Sequence, residues 1–113
     1  MTVKKANLTE QKSSSAHPKD KLRELNTKER SEQRLDSLVR RLRAGDHTAA
    51  TELVDIYYKQ IYLYMRRLGH DRQASEDLTQ ESFLNAWQHI GQLRDGKALN
   101  GWLYRIASNV SKL

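Results

Sequence analysis

The sequence predicts an all-α fold, a compact domain of three to four helices behind a polar, basic tail. Three observations lead there. From Arg34 onward the apolar residues recur every three or four positions in successive segments, which is the spacing of one helix face. One proline and five glycines in 113 residues are too few for the many turns of a β-sandwich or barrel. The absence of cysteine removes a disulfide framework, a thiolate metal site and a thiol nucleophile.

The elements follow in order. Residues 1–32 read as a polar basic tail, disordered or partly helical, and residues 33–113 as the helical domain. Within the tail, residues 1–20 have almost nothing to bury and read as disordered, and residues 21–32 offer only Leu22 and Leu25 to a core. Leu35, Leu38, Val39 and Leu42 then form the stripe of a first helix, which Gly45 stops. Asp46 caps a second helix from about His47 to Leu68. Its stripe is Ala49, Leu53, Ile56, Tyr57, Ile61, Tyr64 and Leu68. Gly69 ends it and Asp71 caps a third, from about Arg72 to Ile90. Gly91 and the GQLRDGKA stretch make a loop. A fourth helix begins near Ala98, with Leu99, Trp102, Leu103, Ile106 and Val110 in register. Its pattern is still running at Leu113 without a stop signal, which reads as a cut in a longer chain. Four helices over about 80 residues bury only about 60% of their unfolded surface, so marginal stability is expected. Trp87, Trp102, Phe83 and the tyrosines are the economical choice for the core.

Charge and hydropathy narrow the function. The net charge is +6, but residues 1–45 hold twelve basic and six acidic side chains while residues 46–113 hold eight of each. The excess therefore lies in the front of the chain, and a basic groove on the folded part does not follow from it. No apolar run approaches the roughly 18 residues of a membrane span, and the N-terminus has no apolar signal core, so a cytoplasmic protein without membrane insertion is expected. The basic stretch 21–43 has no Trp or Phe to seat in a membrane interface. His17, His47, His70 and His89 are scattered, and no HExxH, GxSxG or phosphate-binding glycine loop occurs. The expectation is no enzyme, no cofactor and no metal.

The third helix has two unlike faces. At about 100° per residue, with Leu78 at zero, Ser82, Ala86, Ile90 and Phe83 fall between roughly 40° and 140° and form a core face. Gln80, Leu84, Asp77, Gln88 and Glu81 fall between roughly 200° and 300°. A solvated face ordinarily pairs acid with base at i, i+4; here carboxylates and amides surround a leucine. That pattern suits docking on a basic partner surface, with the leucine as anchor.

The segment from Asp77 to Trp87 reads DLTQESFLNAW, and Trp102 to Asn109 reads WLYRIASN. Together with Gly45-Asp46, Ala50, Leu53, Tyr57 and Tyr58 they resemble region two of bacterial extracytoplasmic-function RNA polymerase sigma factors, over about Leu38 to Leu113. The resemblance implies a transcription initiation factor that binds the β′ clamp helices of core RNA polymerase and melts the minus-ten promoter element. It places Asp77, Gln80, Glu81, Leu84 and Gln88 at the polymerase. It implies capture of a flipped non-template base by the loop and its flanking helices, with Asn85, His89, Gln92, Arg94, Asp95, Lys97, Arg105, Asn109 and Lys112 as DNA contacts. Flipping costs a few kcal/mol, which stacking and base-edge hydrogen bonds must return. Asn109 is the amide expected at the base, because an amide both donates and accepts. Gly96 is expected to let the backbone approach the ligand. Leu93 and Leu99 stand where the family often has Phe, and Lys97 where it often has a small hydroxyl residue, so the captured base stays open. An anti-sigma factor is a further implied partner. The alternative reading is a helical interaction module, for example an anti-sigma docking target, without DNA binding of its own.

Overall fold

The computed structural model of the chain describes residues 18–112, with side chains described from Leu22. The expectation of disorder over residues 1–20 lies outside them for residues 1–17 and is corrected at residues 18–20, which form the first turn of a helix. Four α-helices follow one another: α1 (Pro18–Arg43), α2 (His47–Arg67), α3 (Arg72–Gln88) and α4 (Leu99–Ser111). Two 3-10 turns, Ile90–Gln92 and Gly96–Ala98, lie between α3 and α4. The described residues contain no strand, as expected of an all-α domain. The chain divides into two units between Ser31 and Glu32.

The first helix starts earlier than apolar spacing alone suggests. Pro18 occupies its first turn, where a missing N–H costs nothing, and Lys, Arg, Glu and Leu fill the following turns. Leu22 and Leu25 are 59% and 56% exposed, so local propensity rather than burial sustains this stretch.

The junctions are built as their residues dictate. Gly45 and Gly69 both adopt positive φ, 83° and 101°, closing α1 and α2. The Gly45 N–H donates to Leu42 O and the Asp46 N–H to Arg41 O, both at 3.0 Å. Asp46 then accepts from Thr48 N at 2.9 Å, and Asp71 from Ala74 N at 2.8 Å, satisfying first-turn donors of α2 and α3.

α3 packs against both α2 and α4, and α2 also touches α4. The core is built from Leu38, Val39 and Leu42 of α1, the stripe Ala49, Leu53, Tyr57, Ile61 and Met65 of α2, and most of the apolar face of α4. Met65 takes the end of the α2 stripe. Ile56 and Leu68, expected in that stripe, are 40% and 49% exposed, because the stripe drifts around the helix and Leu68 already lies at the C-cap. On α3 the buried residues are Ser75, Thr79, Ser82, Phe83 and Ala86, while Leu78 and Ile90 are only half-buried. The hydroxyls are satisfied within the helix: Thr79 Oγ1 donates to Ser75 O at 2.6 Å and Ser82 Oγ to Leu78 O at 2.7 Å. Small residues on this seam let neighbouring helices come close.

The loop is tied to α1. Gly96 is buried, and its N–H donates to Asp36 Oδ1 at 2.7 Å. A Cβ there would lie 2.6 Å from Leu35 Cβ and 2.7 Å from Asp36 N. The close approach that this glycine permits is therefore to α1, which corrects the expectation of an approach to a ligand. Leu93 and Leu99 are buried, at 1% and 0% exposure.

Candidate functional surfaces

Asp77, Gln80, Glu81, Leu84 and Gln88 are all exposed on α3, opposite the hydroxyl seam. Leu84 is 63% exposed, the most open of the large apolar side chains among the described residues. Gln73 Nε2 donates to Asp77 Oδ1 at 3.2 Å, and no cation of the described residues pairs with Asp77 or Glu81. An apolar anchor amid unneutralised carboxylates is suited to a surface carrying positive charge.

Gln80 and Leu84 also border a groove of about 440 Å³ between α2 and α3. Its walls include Leu53, Val54, Tyr58, Phe83 and Trp87, and His47 closes one side. Trp87, expected in the core, is half-buried: it packs against the core and stacks on the His47 ring, centroids 5.6 Å apart. Tyr58 and Phe83 lie parallel, 6.4 Å between centroids. The groove walls from α2 were not picked out from the sequence. Positions 47, 50, 54 and 58 recur at helical spacing beside the core stripe, and that signal was there to find.

A second cavity, also about 440 Å³, opens at the loop before α4. Gln92, Arg94, Asp95, Lys97 and Arg105, five of the nine predicted DNA contacts, line it together with Trp102. Three cations face one carboxylate, and Asp95 is engaged as a cap, its Oδ1 accepting from Ala98 N at 3.1 Å. The wall is therefore electropositive although residues 46–113 are neutral as a whole. The other four predicted contacts are not among its walls. Asn85 is half-buried near the end of α3, and His89, exposed at its C-cap, donates from Nδ1 to Asn85 O at 2.9 Å. Asn109 and Lys112 are exposed, Asn109 on α4 and Lys112 at its C-cap.

Elsewhere, the Tyr57 pKa is held above its ordinary 10.0 by burial and then by the neighbouring Tyr104. Among the described residues, no group of three or more His, Asp or Glu could hold a metal ion. No helix there is long and apolar enough to cross a membrane.

Comparison with known proteins gives a concordant result. The family model described as Sigma-70 region 2 matches residues 53–112, more than half of the chain. The RNA polymerase sigma-H factor of Pseudomonas aeruginosa is 40% identical over 75 residues, 66% of this chain and 39% of that protein. The ECF RNA polymerase sigma factor SigW of Bacillus subtilis is 38% identical over 74 residues, 65% of this chain and 39% of that protein. The ECF RNA polymerase sigma-E factor of Salmonella typhimurium is 36% identical over 83 residues, 73% of this chain and 43% of that protein. The chain thus spans about two-fifths of the length of these relatives.

Proposed function

This chain belongs to the sigma-70 region 2 family, and from that premise we propose that it is the polymerase-binding, minus-ten-recognising part of a cytoplasmic transcription initiation factor. In this reading α3 docks on the β′ clamp helices of core RNA polymerase through Asp77, Gln80, Glu81, Leu84 and Gln88. The observation that carries it is the α3 outer face: exposed Leu84 amid carboxylates and amides that no cation of the domain neutralises. The adjoining apolar groove extends the area available to a partner helix.

The loop cavity takes the DNA role. A non-template base leaves the stack and enters between the loop and α4, while Arg94, Lys97 and Arg105 hold its phosphates and Gln92 and Asp95 meet polar edges. Asn85, His89, Asn109 and Lys112 act on the flanking strand. The protein performs no covalent chemistry here: binding energy alone opens the duplex.

The test is binding to purified core RNA polymerase, beside a variant carrying Gln80→Lys and Glu81→Lys. Both positions are exposed, so circular dichroism should be unchanged. Wild-type binding that the double substitution abolishes is the expected result; no binding by a folded wild type sinks the proposal. A second reading, an interaction module taken by an anti-sigma factor, is favoured by the apolar groove. It predicts protein binding with no affinity for single-stranded DNA.

A further inference from the structure

Asp36 takes a distant partner where a near one is offered. It lies half-buried on α1, and Arg40 stands one turn on at i+4, where helical acid–base pairs ordinarily form. No ion pair among the described residues uses the Asp36 carboxylate. Its Oδ1 accepts the Gly96 N–H instead, at 2.7 Å and across 60 residues of sequence. A short bond to a charged acceptor is among the stronger hydrogen bonds a protein makes. Residues 94–98 have no other hydrogen bond to α1, α2 or α3 among the described residues; Asp95 Oδ1 accepts from Ala98 N within the segment itself. The buried Leu93 and Leu99 fix the two ends of this stretch, and Asp36 fixes its middle.

We infer that Asp36 is a positioning residue for base capture: its carboxylate sets where the turn stands, and through Asp95 and Lys97 it sets which base the cavity prefers. The inference rests on the base-capture reading of that cavity. Gly96 is the one residue from 92 to 98 that does not line the cavity, while Asp95 and Lys97 on either side of it do. A site tells one base from another only when its wall groups stand within about 0.5 Å of their working places. A single 3-10 turn has few and poorly aligned backbone bonds, so it does not hold that geometry unaided. Here it is held from both directions. Leu35 Cβ lies 2.6 Å from where a Gly96 Cβ would stand, so the turn cannot move towards α1, and the Asp36 bond keeps it from moving away.

The test compares Asp36→Ala, which deletes the acceptor, with Asp36→Asn, which keeps an oxygen in its place and removes the charge. Each chain is titrated against labelled single-stranded dT decamers carrying a central dA, dC, dG or dT, and against core RNA polymerase. With Asp36→Ala the strand that wild type binds tightest should lose roughly five- to tenfold and the weakest less than about twofold, so the preference narrows. Asp36→Asn should keep most of the preference, and polymerase binding should change in neither. Unaltered relative affinities in Asp36→Ala overturn the inference and leave base capture in place. Equal narrowing in both variants also overturns it, because the charge and not the bond would then matter. So does a parallel loss of polymerase binding by a folded variant, the mark of a general structural role. Should circular dichroism show Asp36→Ala unfolded, Asp36→Glu replaces it: the turn already rests on α1, so the longer arm must displace it, and the same narrowing is expected. A wild type that binds no strand, or all four alike, overturns the base-capture reading and this inference with it.

Discussion

At Gly96 the missing side chain serves the protein's own packing. Asp36 reaches across to its N–H, and α1 occupies the space a Cβ would need. Gly96→Ala should destabilise the domain by about 2 kcal/mol, as overpacking does. The melting temperature should fall by roughly 8–16 °C. A calorimetric scan checks this, and a drop under about 2 °C would mean that α1 yields freely there. The glycine's role was not legible in the sequence because its partner lies 60 residues away. Tyr57 gives a pH prediction. Its folded pKa lies above 10.0, so the neutral phenol is favoured by folding. That contribution is whole below pH 10, and it is lost as pH rises towards the folded value, where the unfolded chain ionises first. Stability measured by urea titration should decline above pH 10, and more shallowly in Tyr57→Phe.

At the level of the helix, the sequence was read best where backbone chemistry is local. The Gly45–Asp46 and Gly69–Asp71 pairs mark two junctions because a positive-φ stop and a carboxylate cap act within a few residues. Asp71→Ala should therefore cost about 1 kcal/mol, seen as a lower urea midpoint with unchanged slope. Side-chain periodicity was less dependable. It missed Met65, over-extended the α2 stripe to Leu68, and gave Leu78 and Ile90 more burial than they have. The reason on α3 is chemical: its inner seam is mostly Ser, Thr and Ala, which apolar spacing undervalues. The outer face of the same helix was legible because carboxylates clustered around a leucine are unusual whatever the packing. Of the nine positions expected to contact DNA, five meet around one cavity; the other four lie on or at the ends of flanking helices, where spacing alone could not say which way the loop would fold.

For the whole molecule, charge and stability are assigned to different parts of the chain. Residues 1–30 carry eight basic and four acidic side chains, and the described ones from Leu22 to Arg30 are exposed. Deleting residues 1–30 should leave the melting temperature within about a degree, because roughly 1 kcal/mol of lost packing would show as 4–8 °C. The same deletion should flatten the salt dependence of non-specific duplex DNA binding, by about 2–4 in log–log slope. A large thermal shift with unchanged salt slope would reverse the assignment.

The division of α3 into a hydroxyl seam and an open outer face has an evolutionary consequence. Selection on foldability acts on Ser75, Thr79, Ser82, Phe83 and Ala86, whereas under the proposed docking selection on partner choice acts on the exposed Asp77, Gln80, Glu81, Leu84 and Gln88. The two sets interleave along the chain yet share no residue. After gene duplication, one copy could change its partner through surface substitutions that the folding threshold never registers. Divergence of allegiance in this helix is limited by the partner's surface, and hardly at all by the stability of the domain.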